Sequence, residues 1–492
     1  MGGWGEMSIS PQYDVIIIGG GISGLAAAYW LRQRGCNIVL LEQGERVGGV
    51  MRSERIGGFL FEHGPTSLMT NHPDVLHFCD AVGLTDRLVE ANPFSRRRYV
   101  MRGGRLLPLP SGPGEFLRTP IWSGAAKLRF VAEPFIAPNR SDREESVAQF
   151  ITRRFGREVL DFGFDPFVSG VYAGDPEQLS MQSTFSRLVE WERSSGSVVK
   201  GILFGRRAER RRADTPPTGK PASPLKRRFF SFQDGVAELP LAIGRTLGDA
   251  VRVNSRVDRV YPSGQTGSSV QTGLSGSGWT VEVSEQGKPA GPRTYSARAV
   301  VLAAPAPVTA GLVESFAPAA GRTLNEIPYA PIVIVGLGFR RSDVGHPLDG
   351  FGCLLPGREG RKLLGSLWSS TIFPARAPEG MVTLTNYLGG AKRPELIGSH
   401  DDELIAVTMN ELRTWLGVTG EPQAVKVVRW PQAIPQYTIG HAQRLAAIES
   451  GMEKWLTLVP AGNYLRGVSV PDCILQTRQL ADRLVDTLAK SS

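Results

Sequence analysis

The sequence predicts an α/β protein: a Rossmann-like dinucleotide-binding domain, a second mixed-sheet domain and a helical insertion. Three observations carry this. The segment "YDVIIIGGGISGLAAAYWLRQRGCNIVLLEQ" is an apolar run, a glycine turn, an alanine-rich helical stretch, a second apolar run and a terminal acid, which makes one complete β-α-β unit. From about 88 to 203 the pattern is mostly helical and aromatic, richest in "TPIWSGAAKLRFVAEPFIAP" and "SVAQFITRRFGREVLDFGFDPFVSGVYAG". From about 311 to 430 the runs "PIVIVGLGFR", "GCLLPG", "KLLGSLWSS" and "MVTLTNYLGG" read as strands and precede the amphipathic "DDELIAVTMNELRTWLG".

The remaining elements return to the first domain. "FFSFQDGVAELPLAIGRTLG" resumes a glycine-turn-helix pattern, and "AVRVNSRVDRVYPSG", "WTVEVSEQG" and "RTYSARAVVLAAPA" read as strands. The tail "WLTLVPAGNYLRGVSVPDCILQTRQLADRLVDTL" is strand, loop and long helix. The expected division is 10-90, 229-310 and 440-492 for a discontinuous dinucleotide-binding domain, 311-439 for a substrate-binding domain, 91-204 for the insertion and 205-228 for a basic flexible loop.

Composition narrows the function. With 41% hydrophobic and 21% charged residues the 492-residue chain is globular rather than disordered. Four cysteines without C-x-x-C spacing or histidine pairs predict neither disulfides nor a metal site, and place the chain in a reducing compartment. "MGGWGEMSISPQYD" carries no basic and apolar leader, so neither a signal nor a transit peptide is expected and the localisation is read as cytoplasmic. No apolar run is long enough to span a bilayer, so any membrane contact would be peripheral. Of the net charge of +9, residues 205-228 supply +7, nine Arg or Lys less Glu209 and Asp214. This stretch is either a solubilising linker or a patch for anionic headgroups. Nucleic acid is not an expected partner, because no basic face interleaved with aromatics is present.

The glycine turn is the first candidate site. Gly19, Gly21 and Gly24 stand at G-x-G-x-x-G spacing around Gly20, Ile22 and Ser23. Gly19 permits the turn, Gly21 admits a pyrophosphate to the backbone, Gly24 lets helix pack on strand, and the helix N-terminus adds positive partial charge. Glu42, about twenty residues on, is placed to take a ribose, with Gln43 beside it. The continuation "EQGERVGGVMRSERIGGFLFEHGPTSL" resembles the extended fingerprint of the flavin amine oxidase superfamily. That resemblance favours FAD over NAD and implies contacts from Arg46, Gly48, Gly49 and Val50 and from the loop Gly64, Pro65, Thr66 and Ser67. It also implies Val257, and Trp430 near the isoalloxazine, although Trp430 reads equally as core. "AGNYLRGVSVPDCI" resembles the segment that closes over the flavin, implying Val468, Ser469 and Val470. Cys473 lies beyond the position at which some relatives attach flavin covalently, so the FAD is expected to be noncovalent. Cys36, Cys79 and Cys353 are expected as small core residues.

Nearly end to end, the chain resembles the oxygen-dependent, FAD-containing protoporphyrinogen oxidases. The most particular stretches are "DPFVSGVYAGDPEQLSM", "FPARAPEGMVTLTNYLGGAKRPEL" and "AIPQYTIGH" with "VPDCI". The resemblance implies oxidation of protoporphyrinogen IX to protoporphyrin IX in three two-electron steps, with molecular oxygen as acceptor and hydrogen peroxide as product. In "SRRRYVMRGGRLLPLP", Arg98 is implied to hold a propionate, because a guanidinium fork takes a carboxylate in two parallel bonds. Arg96 and Arg97 are left to solvent or headgroups. Gly170 is implied to line the tetrapyrrole pocket, Leu354 and Leu367 to sandwich a pyrrole ring and Tyr387 to face another. From pattern alone, Gly170 is a turn glycine and the other three are core. No catalytic base is assigned, His63 is expected to be solvent-facing or capping, and His441 structural. The insertion, with "IW", "LRF", "FIAP" and "GILF" beside basic residues, is read as membrane-binding, with a plain helical cap as the alternative. Whether the protein is a homodimer is left open. Rival readings are a coproporphyrinogen III oxidase, another flavin amine oxidase or carotene desaturase, and a non-catalytic binding protein of the GDP-dissociation-inhibitor type.

Overall fold

Strand Tyr13–Ile18 lies between Ile38–Leu41 and Arg293–Leu302 and runs parallel to both. Helices cover both of its faces, so Val15, Ile16 and Ile17 have no exposed surface. Burial on both sides is why this strand reads as a continuous apolar run. The computed structural model describes residues 12–141, 143–203, 228–263, 278–285 and 293–490. The first sheet runs Val251–Arg252, Ile38–Leu41, Tyr13–Ile18, Arg293–Leu302, Trp279–Glu285, Ser255–Pro262, and Leu458–Pro460 also pairs with Arg293–Leu302.

Val15 and Ile17 face Leu25 to Ala28 of helix Ile22–Gln33, together with Ile474, Ala481 and Leu484 of the C-terminal helix Val470–Lys490. Ile16 and Ile18 face the opposite layer, which contains Ala306, Ala310, Leu312, Val313, Ala320 and Leu324. This corrects the expected boundary at 311. Helices Ala306–Val313 and Pro318–Asn325 cover the second face of a parallel sheet that would otherwise be wet, so the second domain begins at Tyr329.

The second sheet runs Ala424–Pro435, Tyr329–Arg340, Met381–Gly389, Leu363–Leu367, Gly352–Leu354, Arg98–Arg102, Arg105–Pro108. Its last two strands are the hairpin of "RYVMRGGRLLP", which turns at Gly103 and Gly104. Assigning that hairpin to the helical insertion was wrong: Arg98, Tyr99 and Val100 pair in parallel with Gly352, Cys353 and Leu354, a partner too distant in sequence for local pattern to reveal. Helix Asp401–Leu416 packs through Leu404, Leu412 and Leu416 on the face that carries Val333, Val335, Leu337 and Leu384. The opposite face is left for the site.

The insertion is helical from Pro113 onwards. Its helices are pinned by a buried ion network in which Arg154 and Glu133, both without exposed surface, hydrogen-bond to each other, Ser197 donates to Glu133, and Arg153 bridges Glu145 and Glu192. Buried charges persist only when each lone pair and proton is satisfied, as here. Its surface nevertheless exposes Leu117, Leu128, Val131 and Phe135. The basic stretch 205-228 lies outside the described residues except for Arg228, which pairs with Glu90. Among the described residues no helix is long and apolar enough to cross a membrane.

Candidate cofactor and substrate site

The glycine turn is built for close approach. Gly19 has φ +106° and a Cβ there would lie 2.7 Å from the Ala303 carbonyl oxygen, while a Cβ on Gly24 would lie 1.9 Å from that of Gly19. Around a Cβ on Gly21 nothing lies within 4 Å, so the outer side of the turn is open to a ligand. Glu42 closes the turn from the next strand, its two carboxylate oxygens accepting the Gly20 N–H (2.6 Å) and the Gly44 N–H (2.7 Å). A carboxylate has about four acceptor sites, so it keeps capacity for a ribose. The chain bearing Val257 is tied to the same point, because the Ser255 N–H donates to the Glu42 carbonyl.

The Gly48-Gly49 doublet docks on this turn through the Gly48 N–H, which donates to the Gly20 carbonyl at 2.8 Å. Among the described residues Arg46 has no carboxylate in ion-pair range; burial and the neighbouring Arg52 lower its pKa, marking an unneutralised cation beside the turn. The Arg52 Nε donates to the Gly49 carbonyl (2.9 Å) and its guanidinium lies 5.8 Å from the Trp430 ring centre. Trp430 in turn donates its indole N–H to the His63 carbonyl (2.5 Å), fixing the second sheet against the Gly64-Pro65 loop. At the far side Ser469 caps the C-terminal helix by accepting from the Asp472 N–H (3.2 Å), which leaves Val468 and Val470 flanking that N-terminus. Cys473 is buried and its thiol is pushed up to about 11, leaving it protonated.

His63 departs from expectation. It is half-buried, its Nε2 lies 3.1 Å from Glu54, and Glu54 pairs with Lys426 at 2.7 Å. Burial lowers its pKa, with Lys426 acting in the same direction and Glu54 against it. A second group that pattern reading missed lies behind it. Burial pushes the Glu62 carboxyl up to about 7, against the Ser53 hydroxyl (2.5 Å), the buried Arg376 (3.6 Å) and the Val236 N–H. A carboxylate inside the apolar run "GFLFEHGP" was the available signal.

The substrate-side residues fall into place by register. One row across the second sheet reads Arg98, Gly352, Leu367, Thr385, Gly336, Lys426, and the next reads Val100, Leu354, Gly365, Tyr387, Ile334, Val428. Residues two apart on a strand share a face. Arg98, Leu367, Leu354 and Tyr387 therefore share the face opposite helix Asp401–Leu416. Gly170 abuts the same face, since a Cβ there would lie 2.3 Å from the Leu354 Cδ2. Hairpin Ser53–Glu62 crosses it too, with Phe61 against Gly336. Burial raises the Tyr387 pKa, helped by Glu62, so its hydroxyl stays neutral. Of the three arginines, Arg97 is paired with Asp349 (2.5 Å), which also accepts the Tyr99 hydroxyl (2.7 Å). Arg98, exposed like Arg97, has no carboxylate partner among the described residues, and its guanidinium lies 5.0 Å from the Phe351 ring centre.

A G-x-G-x-x-G turn in a β-α-β unit, joined through Arg52, Trp430 and His63 to a second sheet whose other face carries Arg98, suits a dinucleotide-binding protein with a separate substrate surface. The chain belongs to the flavin containing amine oxidoreductase family, whose model matches residues 22–485. It is a flavin-dependent oxidoreductase. Among its relatives, the mitochondrial protoporphyrinogen oxidase of Nicotiana tabacum is 33% identical over 99% of this chain and 98% of that one. The coproporphyrinogen III oxidase of Propionibacterium freudenreichii subsp. freudenreichii is 31% identical over 96% of this chain and 90% of that one. A solved structure from Exiguobacterium sp. 255-15 superposes with a TM-score of 0.77 at 23% identity, covering 96% of this chain and 99% of the other, and shows the same fold.

Proposed function

We propose that the protein oxidises protoporphyrinogen IX to protoporphyrin IX, using noncovalently bound FAD and molecular oxygen and releasing hydrogen peroxide. The observation that carries this reading is the shared face of Arg98, Leu354, Leu367 and Tyr387, walled by Gly170. The open side of the Gly21 turn and the acceptor capacity left on Glu42 suit FAD: Glu42 and Gln43 would hold the ribose end with Val257, the Gly19–Gly24 turn and Arg46 would hold the pyrophosphate with Gly48, Gly49 and Val50, and Gly64 to Ser67, Trp430 and Val468 to Val470 would hold the ring. FAD when bound supplies the two-electron acceptor. The chain's own work is orientation and exclusion of water. No side chain in the two rows is a general base, and Tyr387 remains protonated.

Charge favours protoporphyrinogen over coproporphyrinogen. The charged residues in the two rows are Arg98 and Lys426, and Lys426 is already held by Glu54. One available guanidinium suits a substrate anchored through one propionate, whereas coproporphyrinogen brings two further carboxylates to an apolar wall. Anaerobic mixing with each porphyrinogen is expected to bleach the flavin faster with protoporphyrinogen; faster bleaching by coproporphyrinogen would reverse the assignment.

Gly170→Ala tests the wall. The clash is with the end of a mobile side chain, so Leu354 turns into the ring space while the fold survives. The expected result is a KM raised about tenfold, equivalent to about 1.4 kcal/mol of binding, with Tm changed little. Peripheral membrane contact belongs to the same reading: exposed Leu117, Leu128, Val131 and Phe135 stand beside Arg118, Lys127 and Arg129 on the insertion.

A further inference from the structure

We infer that Asp165 and Lys392 form a latch that sets the spacing of the substrate-site walls, a positioning role for residues that touch neither substrate nor cofactor. It rests on the reading of this sheet face as the porphyrinogen wall. Helix Asp165–Tyr172 carries Gly170 and is the wall that belongs to the insertion and not to the sheet. It is tied at both ends. Asp165, 6% exposed at its first turn, pairs with Lys392 and accepts the Gly357 N–H at 2.8 Å. Beyond its last turn, the Ala173 carbonyl accepts the Ala391 N–H at 2.7 Å.

The partners of that single carboxylate are the other walls. Gly357 opens the turn between the strand bearing Leu354 and the strand bearing Leu367, and Lys392 follows the strand bearing Tyr387. Gly357 has no room to spare, since a Cβ would lie 3.2 Å from the Asp165 Oδ2 and 3.4 Å from the Lys392 Nζ. A second buried carboxylate one turn earlier grips the same hairpin turn: Asp161 takes Arg157 and Arg358, both at 2.8 Å. Asp161 sits inside a π-helical turn, Leu160–Phe164, that ends immediately before Asp165, a conformation that is rare and concentrated at functional sites. Sheet pairing fixes Leu354 and Tyr387 relative to each other, and the Asp165–Lys392 pair, with the Gly357 N–H, ties the helix bearing Gly170 to the segments that follow both of their strands. Removing Lys392 leaves a buried carboxylate without its cation, and that carboxylate draws in water and loosens the helix.

The test compares Lys392→Met, Asp165→Asn, their double variant and Lys392→Arg as flavin-loaded enzymes. With protoporphyrinogen, each of the first two is expected to raise KM about tenfold with kcat within about twofold, because a displaced wall weakens binding of the whole macrocycle. The double variant should be no worse than the singles, and Lys392→Arg should stay near the parent. Hydrogen exchange supplies a readout independent of substrate: the amides within 166–174, from Phe167 onwards, should exchange faster in Lys392→Met while the first sheet is unchanged. A lowered Tm with KM and exchange at 166–174 unaltered would show mere stabilisation and overturn the latch, as would additive effects in the double variant. If the parent is not reduced by porphyrinogen while exchange responds as stated, the substrate reading fails and the tether stands.

Discussion

Gly24→Ala is expected to give a protein that is recovered without flavin. The added Cβ would sit 1.9 Å from the Gly19 carbonyl oxygen and 3.2 Å from the Ala303 Cβ. The first of these is backbone and cannot rotate aside, so helix Ile22–Gln33 must move off its strand by more than an ångström. That shift costs about 1–3 kcal/mol of stability as overpacking and carries the helix N-terminus away from the pyrophosphate. Gly21→Ala separates the two causes. Nothing lies within 4 Å of its Cβ, so the fold and Tm should be unchanged while flavin affinity falls, because the methyl occupies the ligand's side of the turn. Bound flavin after desalting, read by absorbance, together with Tm, checks both. Stoichiometric flavin in Gly24→Ala would remove the turn from the cofactor site.

The contrast between these two glycines also shows what was legible in the chain. The β-α-β unit is local: strand, turn, helix and Glu42 lie within about thirty residues, so spacing alone specified the cleft. The substrate face is a different kind of object. Arg98, Leu354, Leu367 and Tyr387 come from four strands, and their common orientation follows from pairing registers that no local window contains. Pattern alone offered them as core; only the family resemblance marked them. The misplaced hairpin at Arg98, the helices at Ala306 and Pro318, and the His63–Glu54–Lys426 and Glu62–Arg376 groups failed for the same reason. Each depends on a partner far along the chain, and a strand's edge or a helix's covered face is settled by that partner rather than by its own residues.

Arg98→Ala is expected to raise KM for protoporphyrinogen about 10- to 100-fold while kcat stays within about threefold, the equivalent of losing about 1.5–3 kcal/mol from a charge-assisted pair. Three strand spacings separate Arg98 from Tyr387, which at about 4.8 Å each puts their strands roughly 14 Å apart across the sheet. A contact so far from the flavin-facing end is the same in ground and transition states, so it acts on binding and not on the chemical step. Arg98→Lys should recover part of the loss, since it keeps the charge but not the two-pronged geometry. Arg97 provides the control. It is exposed and already neutralised by Asp349, so Arg97→Ala should change KM by less than about twofold. Should the two variants behave the other way round, the propionate anchor moves one residue, to the side chain on the opposite face of the strand, and the shared face loses its anionic end.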